Sequence, residues 1–130
     1  MQRLRTRAQF QAVMAGTTVA RTAHFALHRI ALPAPPVGEQ AQLRPLFAVD
    51  ACWVGVMLPK RWARRAVTRN AIRRQIYAVC GEHAAALPMA AHVVRLRSGF
   101  DRKQFISATS VQLKQAVRSE LEQLVRKAAA

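Results

Sequence analysis

KRWARRAVTRNAIRRQIYAVC, residues Lys60–Cys80, is a helical stretch with an extreme charge pattern. Apart from Thr68 and Asn70 at its centre, and the β-branched pair Val67-Thr68, it is made of good helix formers. Its first fifteen residues hold seven basic side chains: Lys60, Arg61, Arg64, Arg65, Arg69, Arg73 and Arg74. No acidic residue occurs from Ala51 to Gly81, so nothing nearby in sequence neutralises them. On a helix, Arg65, Arg69 and Arg73 fall at i, i+4 and i+8 and form one stripe of mutually repelling charge. A charge run is most often a solvated helix face. A run without acids, in which arginine outnumbers lysine six to one, fits a polyanion better, because the guanidinium fork matches phosphate and stacks on bases.

On either side of this stretch the pattern changes to strand. Trp53-Val-Gly-Val-Met-Leu58 is a compact apolar run stopped by Pro59, and His92-Val-Val-Arg-Leu-Arg97 places Val93 opposite Val94 and Leu96. The helix between them is expected to begin near Arg61 and run to about Ala86, ended by Leu87-Pro88. Strand, helix, strand implies a crossover between parallel strands.

Toward the N-terminus, Thr6-Arg-Ala-Gln9 is a capping-box pattern. Phe10, Val13 and Met14 then share a helix face over about residues 7–15, with Gly16 expected to close it in the left-handed region. Val19–Leu32 has strand character, clearest from His24, with Phe25, Leu27 and Ala31 on one face, interrupted by Arg29, and His24, His28, Ile30 and Leu32 on the other. His24 and His28 lie too far apart along a strand to share one metal ion. Pro33, Pro35, Pro36, Gly38 and Pro45 make residues 33–50 a surface loop insertion. Toward the C-terminus, Asp101-Arg-Lys-Gln104 opens a helix over about residues 102–126. Its stripe of Ile106, Leu113, Val117, Leu121 and Leu124 belongs to the core, and residues 127–130 are expected to fray. The elements assemble into one α+β, two-layer domain spanning 1–130.

Composition narrows the function. A net charge of +15 over 130 residues points to nucleic acid first and an anionic membrane second, while 52% hydrophobic residues support a folded core. Cys52 and Cys80 have no metal or redox spacing and fit reduced, buried thiols of a cytoplasmic protein. No apolar run is long enough to span a bilayer. The six acids are scattered, only Glu120 and Glu122 are close, and i, i+2 residues on a helix do not face each other. With no phosphate loop and no nucleophile–base spacing, no catalytic residue and no metal site is assigned to the protein itself. Asn70, an amide inside a basic helix, either meets a phosphate or a hydrated metal ion held by RNA, or turns inward to the backbone.

Lys60-Arg61, Arg64 and Ala66-Val67-Thr68-Arg69-Asn70-Ala71-Ile72-Arg73-Arg74 together resemble the signature of the bacterial ribonuclease P protein component. Phe10-Gln-Ala-Val13 with Gly16, then Phe25, then Val54-Gly55, follow in that family's order, so the likeness runs from about Leu4 to Lys127. The resemblance implies a four-stranded sheet with three helices in the order αβββαβα, of the ribosomal S5 domain 2 type, with a left-handed βαβ crossover. Physical rules alone favour a right-handed one.

It also implies an activity: a protein subunit that binds a catalytic RNA and the 5′ leader of precursor tRNA, while the RNA cleaves with its own Mg2+. No cofactor bound by the protein alone, no membrane and no obligate protein partner are expected. By position, Lys60, Arg61, Arg64, Arg65, Arg69, Asn70, Arg73 and Arg74 match the family's RNA-binding motif. Phe10, Met14, Phe25 and His28 match its leader-binding cleft between first helix and sheet. Met14 and His28 stand where relatives often carry aromatics, the N-terminal extension is short, and the loop 33–50 is longer than usual. The competing expectations are a ribosomal-type structural RNA-binding protein and a membrane-surface binder, the latter requiring an apolar face left free.

Overall fold

A computed structural model of the chain describes residues 1–32, 46, 47, 49, 51–100 and 111–129. The described elements are β1 (Gln2–Arg3), α1 (Arg7–Met14), β2 (Thr17–Arg21), β3 (Phe25–Ala31), β4 (Trp53–Met57), α2 (Ala66–Glu82), β5 (Ala90–Leu96) and α3 (Val111–Ala129). The strands form a mixed sheet in the order β1-β4-β5-β3-β2, with β1, β4 and β5 parallel and β3 antiparallel to both β5 and β2. As expected for strand, helix, strand, β4 and β5 are adjacent and parallel with α2 between them.

Period-two alternation divides the core into two faces. Phe25, Leu27, Val54, Val94 and Leu96 meet Ile72, Ile76 and Val79 of α2 and Leu113, Val117, Leu121 and Leu124 of α3. Their chain neighbours Trp53 and Val93 turn the other way, onto Leu4 and Val13, with Phe10 and Met14 of α1 packed alongside. The α+β content is as expected from sequence, with two differences of layout. The sheet has a fifth strand, because Gln2 and Leu4 donate to the Cys52 and Val54 carbonyls at 2.9 and 3.0 Å and extend the β4 edge. The helices also cover both faces, α1 one and α2 with α3 the other, where two layers were expected.

The capping box at α1 is complete. The Gln9 amide donates to Thr6 Oγ1 at 3.2 Å, and Gln9 Oε1 accepts from the Thr6 amide at 3.1 Å. Gly16 acts through space, not through a left-handed turn: a Cβ there would collide with the Arg29 carbonyl oxygen, so glycine lets the turn after α1 lie against β3.

α2 is shorter than its propensity suggests at both ends. The Pro59 carbonyl accepts from the Trp62 and Ala63 amides at 3.0 and 3.3 Å, a turn that buries Ala63 and leaves Arg65 extended (φ −83°, ψ 132°) as the N-cap. Residues 83–87 instead form tight turns, Ala86 to His83 and Leu87 to Ala84, which bury Leu87. α3 reaches Ala129, past the expected fraying point. Arg29 Nη2 donates to the Ala128 carbonyl at 2.9 Å and Lys127 Nζ to the Arg21 carbonyl at 3.0 Å, tying the last turn to the sheet. The expected start of this helix at 102–110, with Ile106, and most of the loop 33–50 lie outside the described residues.

Candidate nucleic-acid interface

Lys60, Arg61, Arg64 and Arg65 sit in the turn before α2 and at its N-cap. Arg69, Asn70, Arg73 and Arg74 follow on its first three turns. The expected three-arginine stripe is thus a helical pair, Arg69 and Arg73, preceded by an extended Arg65. Helix phase explains the exposure. Ala71, Ile72, Ile76, Val79 and Cys80 take the buried side, which leaves Asn70, Arg73 and Arg74 exposed and Arg69 half-buried at the margin. Among the described residues the ion pairs are His24–Glu120, Arg118–Glu82 and Arg118–Glu122, so none of the seven basic groups is neutralised there.

The eight side chains are not equivalent. Arg69 Nη1 donates to the Ala63 and Arg64 carbonyls at 2.9 and 2.8 Å, folding back to brace the turn. Asn70 Oδ1 accepts from Arg73 Nη1 at 2.9 Å, so the amide oxygen steadies a guanidinium and does not turn inward. The first turn of α2 has no acidic residue and no side-chain cap. Its free amides and the positive end of the helix dipole therefore add to the arginine field, an arrangement suited to phosphate.

A second basic surface lies on the sheet beside α1. Gly55 allows the close packing there: a Cβ would stand 2.7 Å from both Leu4 Cδ1 and Phe10 Cε1, so the bare backbone admits the half-buried Phe10 ring. Met14 is likewise half-buried. His28 Nε2 accepts from Arg95 Nε at 3.1 Å, which leaves Nδ1–H to donate to Thr18 Oγ1 at 3.0 Å. Burial, then Arg95 and Arg21, hold its pKa below the usual histidine value, so it is a neutral positioner of Arg95. Phe25 does not join these three. It is fully buried on the opposite face among α2 and α3, one residue out of phase with the cleft, with Phe100 6.0 Å away between ring centroids. Arg21 and Arg95 were not singled out from sequence, although alternation in His92–Arg97 places Arg95 on the Val93 side.

Comparison with known proteins identifies the family. Residues 1–129 match the profile of the family described as Ribonuclease P. The chain is 34% identical over 109 residues to the ribonuclease P protein component of Paraburkholderia xenovorans, covering 84% of this chain and 67% of that one. With the same component from Bordetella petrii it is 33% identical over 120 residues, 92% of this chain and 85% of the relative. Its fold is similar to the solved RNase P proteins of Staphylococcus aureus (TM-score 0.66, 18% identity, 97% and 94% of the two chains) and Thermotoga maritima (TM-score 0.62, 17% identity, 97% of each). The chain belongs to the ribonuclease P protein family.

Proposed function

We propose that the chain is the protein subunit of ribonuclease P, binding its catalytic RNA through the α2 surface and supporting removal of the 5′ leader from precursor tRNA. The observation that carries this reading is the exposed basic face of Lys60, Arg61, Arg64, Arg65, Arg73 and Arg74, which has no ion pair among the described residues. Such a face gains little from the rest of the chain and much from a polyanion, because each phosphate contact releases condensed counterions. Phe10 and Met14 of α1, with Arg21, His28 and Arg95 on the same face of the sheet, form the surface to which we assign the single-stranded leader. An apolar edge suits its bases and the guanidinium groups suit its backbone. Bond cleavage is assigned to the RNA and to Mg2+ held there. The protein's part is to reduce repulsion between two polyanions and so raise the occupancy of that ion at low magnesium. The setting proposed is the cytoplasm, and no helix among the described residues is long and apolar enough to cross a membrane.

The test is cleavage of a precursor tRNA at low magnesium by a bacterial ribonuclease P RNA, with and without this protein. Rescue by the wild type that is lost in Arg73→Ala/Arg74→Ala is the expected result. Tight RNA binding without rescue would overturn the proposal and leave a structural RNA-binding protein.

A further inference from the structure

Among the described aromatic residues only Trp62 is exposed, at 37%; Phe10, Phe47, Tyr77 and Phe100 are half-buried. A partly exposed indole keeps an apolar ring and a polar N–H within reach of a partner, and the position of this one is unusual. It lies between Arg61 and Arg64 in the turn ahead of α2, within the stretch free of acidic residues. The Arg61 guanidinium lies 5.2 Å from the indole centroid, so a phosphate-binding group is already held against the ring.

The turn carrying Trp62 is also braced. Its amide donates to the Pro59 carbonyl at 3.0 Å, the next residue, Ala63, is buried, and the carbonyls of Ala63 and Arg64 are held by Arg69. On its other side the Trp62 carbonyl packs against Gly99, where a Cβ would come within 2.9 Å of the oxygen. The backbone beneath the ring is therefore set before any ligand arrives. An aromatic plane with cations on both sides in the chain, on a pre-formed turn, matches the requirements for stacking an unpaired base whose flanking phosphates meet the arginines. A duplex buries its base faces and would meet only the charges.

We infer that Trp62 is a stacking platform for one unpaired nucleobase of the bound RNA, with Arg61 and Arg64 taking the adjacent phosphates. This rests on the RNA-binding reading above and adds a single-stranded contact on the α2 side, separate from the surface beside α1.

The experiment uses the full-length protein and a short, unstructured oligoribonucleotide, with the same sequence as a duplex for comparison. Binding is followed by anisotropy of a labelled strand and by tryptophan emission, with Trp62→Phe supplying the signal of buried Trp53. Expected are quenching of the Trp62 emission in step with single-strand binding and much less with duplex. Trp62→Ala should lose affinity for the single strand by about 5- to 150-fold, the range for one stacked base. Trp62→Phe should lose less, and the salt dependence and melting temperature of both variants should match the wild type. Wild-type binding by Trp62→Ala, or single-strand binding without quenching, would overturn the inference and leave the RNA-binding reading intact. Failure of the wild type to bind any RNA would overturn both.

Discussion

Arg69 and Arg73 are four residues apart on one helix, yet the structure gives them different work. Arg69 spends its guanidinium on two backbone carbonyls, whereas Arg73 is presented to solvent by Asn70, and Arg74 is exposed beside it. Arg73→Ala and Arg74→Ala should each flatten the logarithmic salt dependence of RNA binding by about 0.7–0.9 per lost phosphate contact. Chemical denaturation should show their stability unchanged to within about 0.5 kcal/mol, as for most surface substitutions. Arg69→Ala should instead lose about 1 kcal/mol of stability, since its bonds are charge-assisted but only partly shielded from water. An Arg69 variant with full stability and a flattened slope would return Arg69 to the phosphate contacts. The motif was legible as a set of basic residues; the division of labour within it was not, because helix phase decides which guanidinium can reach back to the turn.

At the scale of elements, local sequence rules held best where the interaction is itself local. The Thr6/Gln9 capping box spans four residues and forms as its pattern requires. Thr6→Ala should therefore cost about 1 kcal/mol in an equilibrium unfolding experiment. Gly16 was legible as special, but its reason comes from a strand thirteen residues away. Gly16→Ala should destabilise by about 1–3 kcal/mol, as overpacking does, because the obstructing atom is the Arg29 backbone oxygen and cannot rotate aside. A Gly16→Ala protein melting with the wild type would mean that the α1–β2 turn moves freely. The ends of α2 misled for the same reason: alanine and arginine permit helix at 61–65 and 83–86, but burial of Ala63 and Leu87 is served better by turns.

For the molecule as a whole, the junction of α3 with the sheet carries a pH dependence. His92 is fully buried, accepts from Arg29 Nε at 3.3 Å through Nδ1, and so turns Nε2–H toward the Pro88 carbonyl at 3.2 Å. Burial is the main cause that pushes its pKa down to about 4, and the Arg29 charge adds to it. The folded protein therefore resists a proton that the unfolded chain accepts below about pH 6.5. Stability contributed by neutral His92 is complete above that pH and is lost progressively as pH falls toward 4, by about 3 kcal/mol in all. His28, also shifted downward, acts in the same direction. Urea unfolding at pH 7 and pH 5 should show the loss, and His92→Gln should reduce the difference. Equal pH slopes in the two proteins would remove His92 from the account.

What the sequence determined by itself was what depends on neighbours along the chain. The periodicities of β3, β5 and α3, the cap of α1, the strand-helix-strand order around α2 and the basic, acid-free motif needed only period, propensity and charge. The cleft did depend on the fold. The resemblance groups Phe25 with His28 in the cleft, but the two lie three positions apart in a strand and face opposite layers; with α1 on one face and α2 and α3 on the other, only His28 lies on the cleft side. Arg21 and Arg95 come together across β3, which lies between their strands, and Trp62 owes its placement to Pro59, Arg69 and Gly99. Apart from the local bonds at Pro59 and Arg69, those contacts join residues far apart in sequence, and chain closure decides which of them meet.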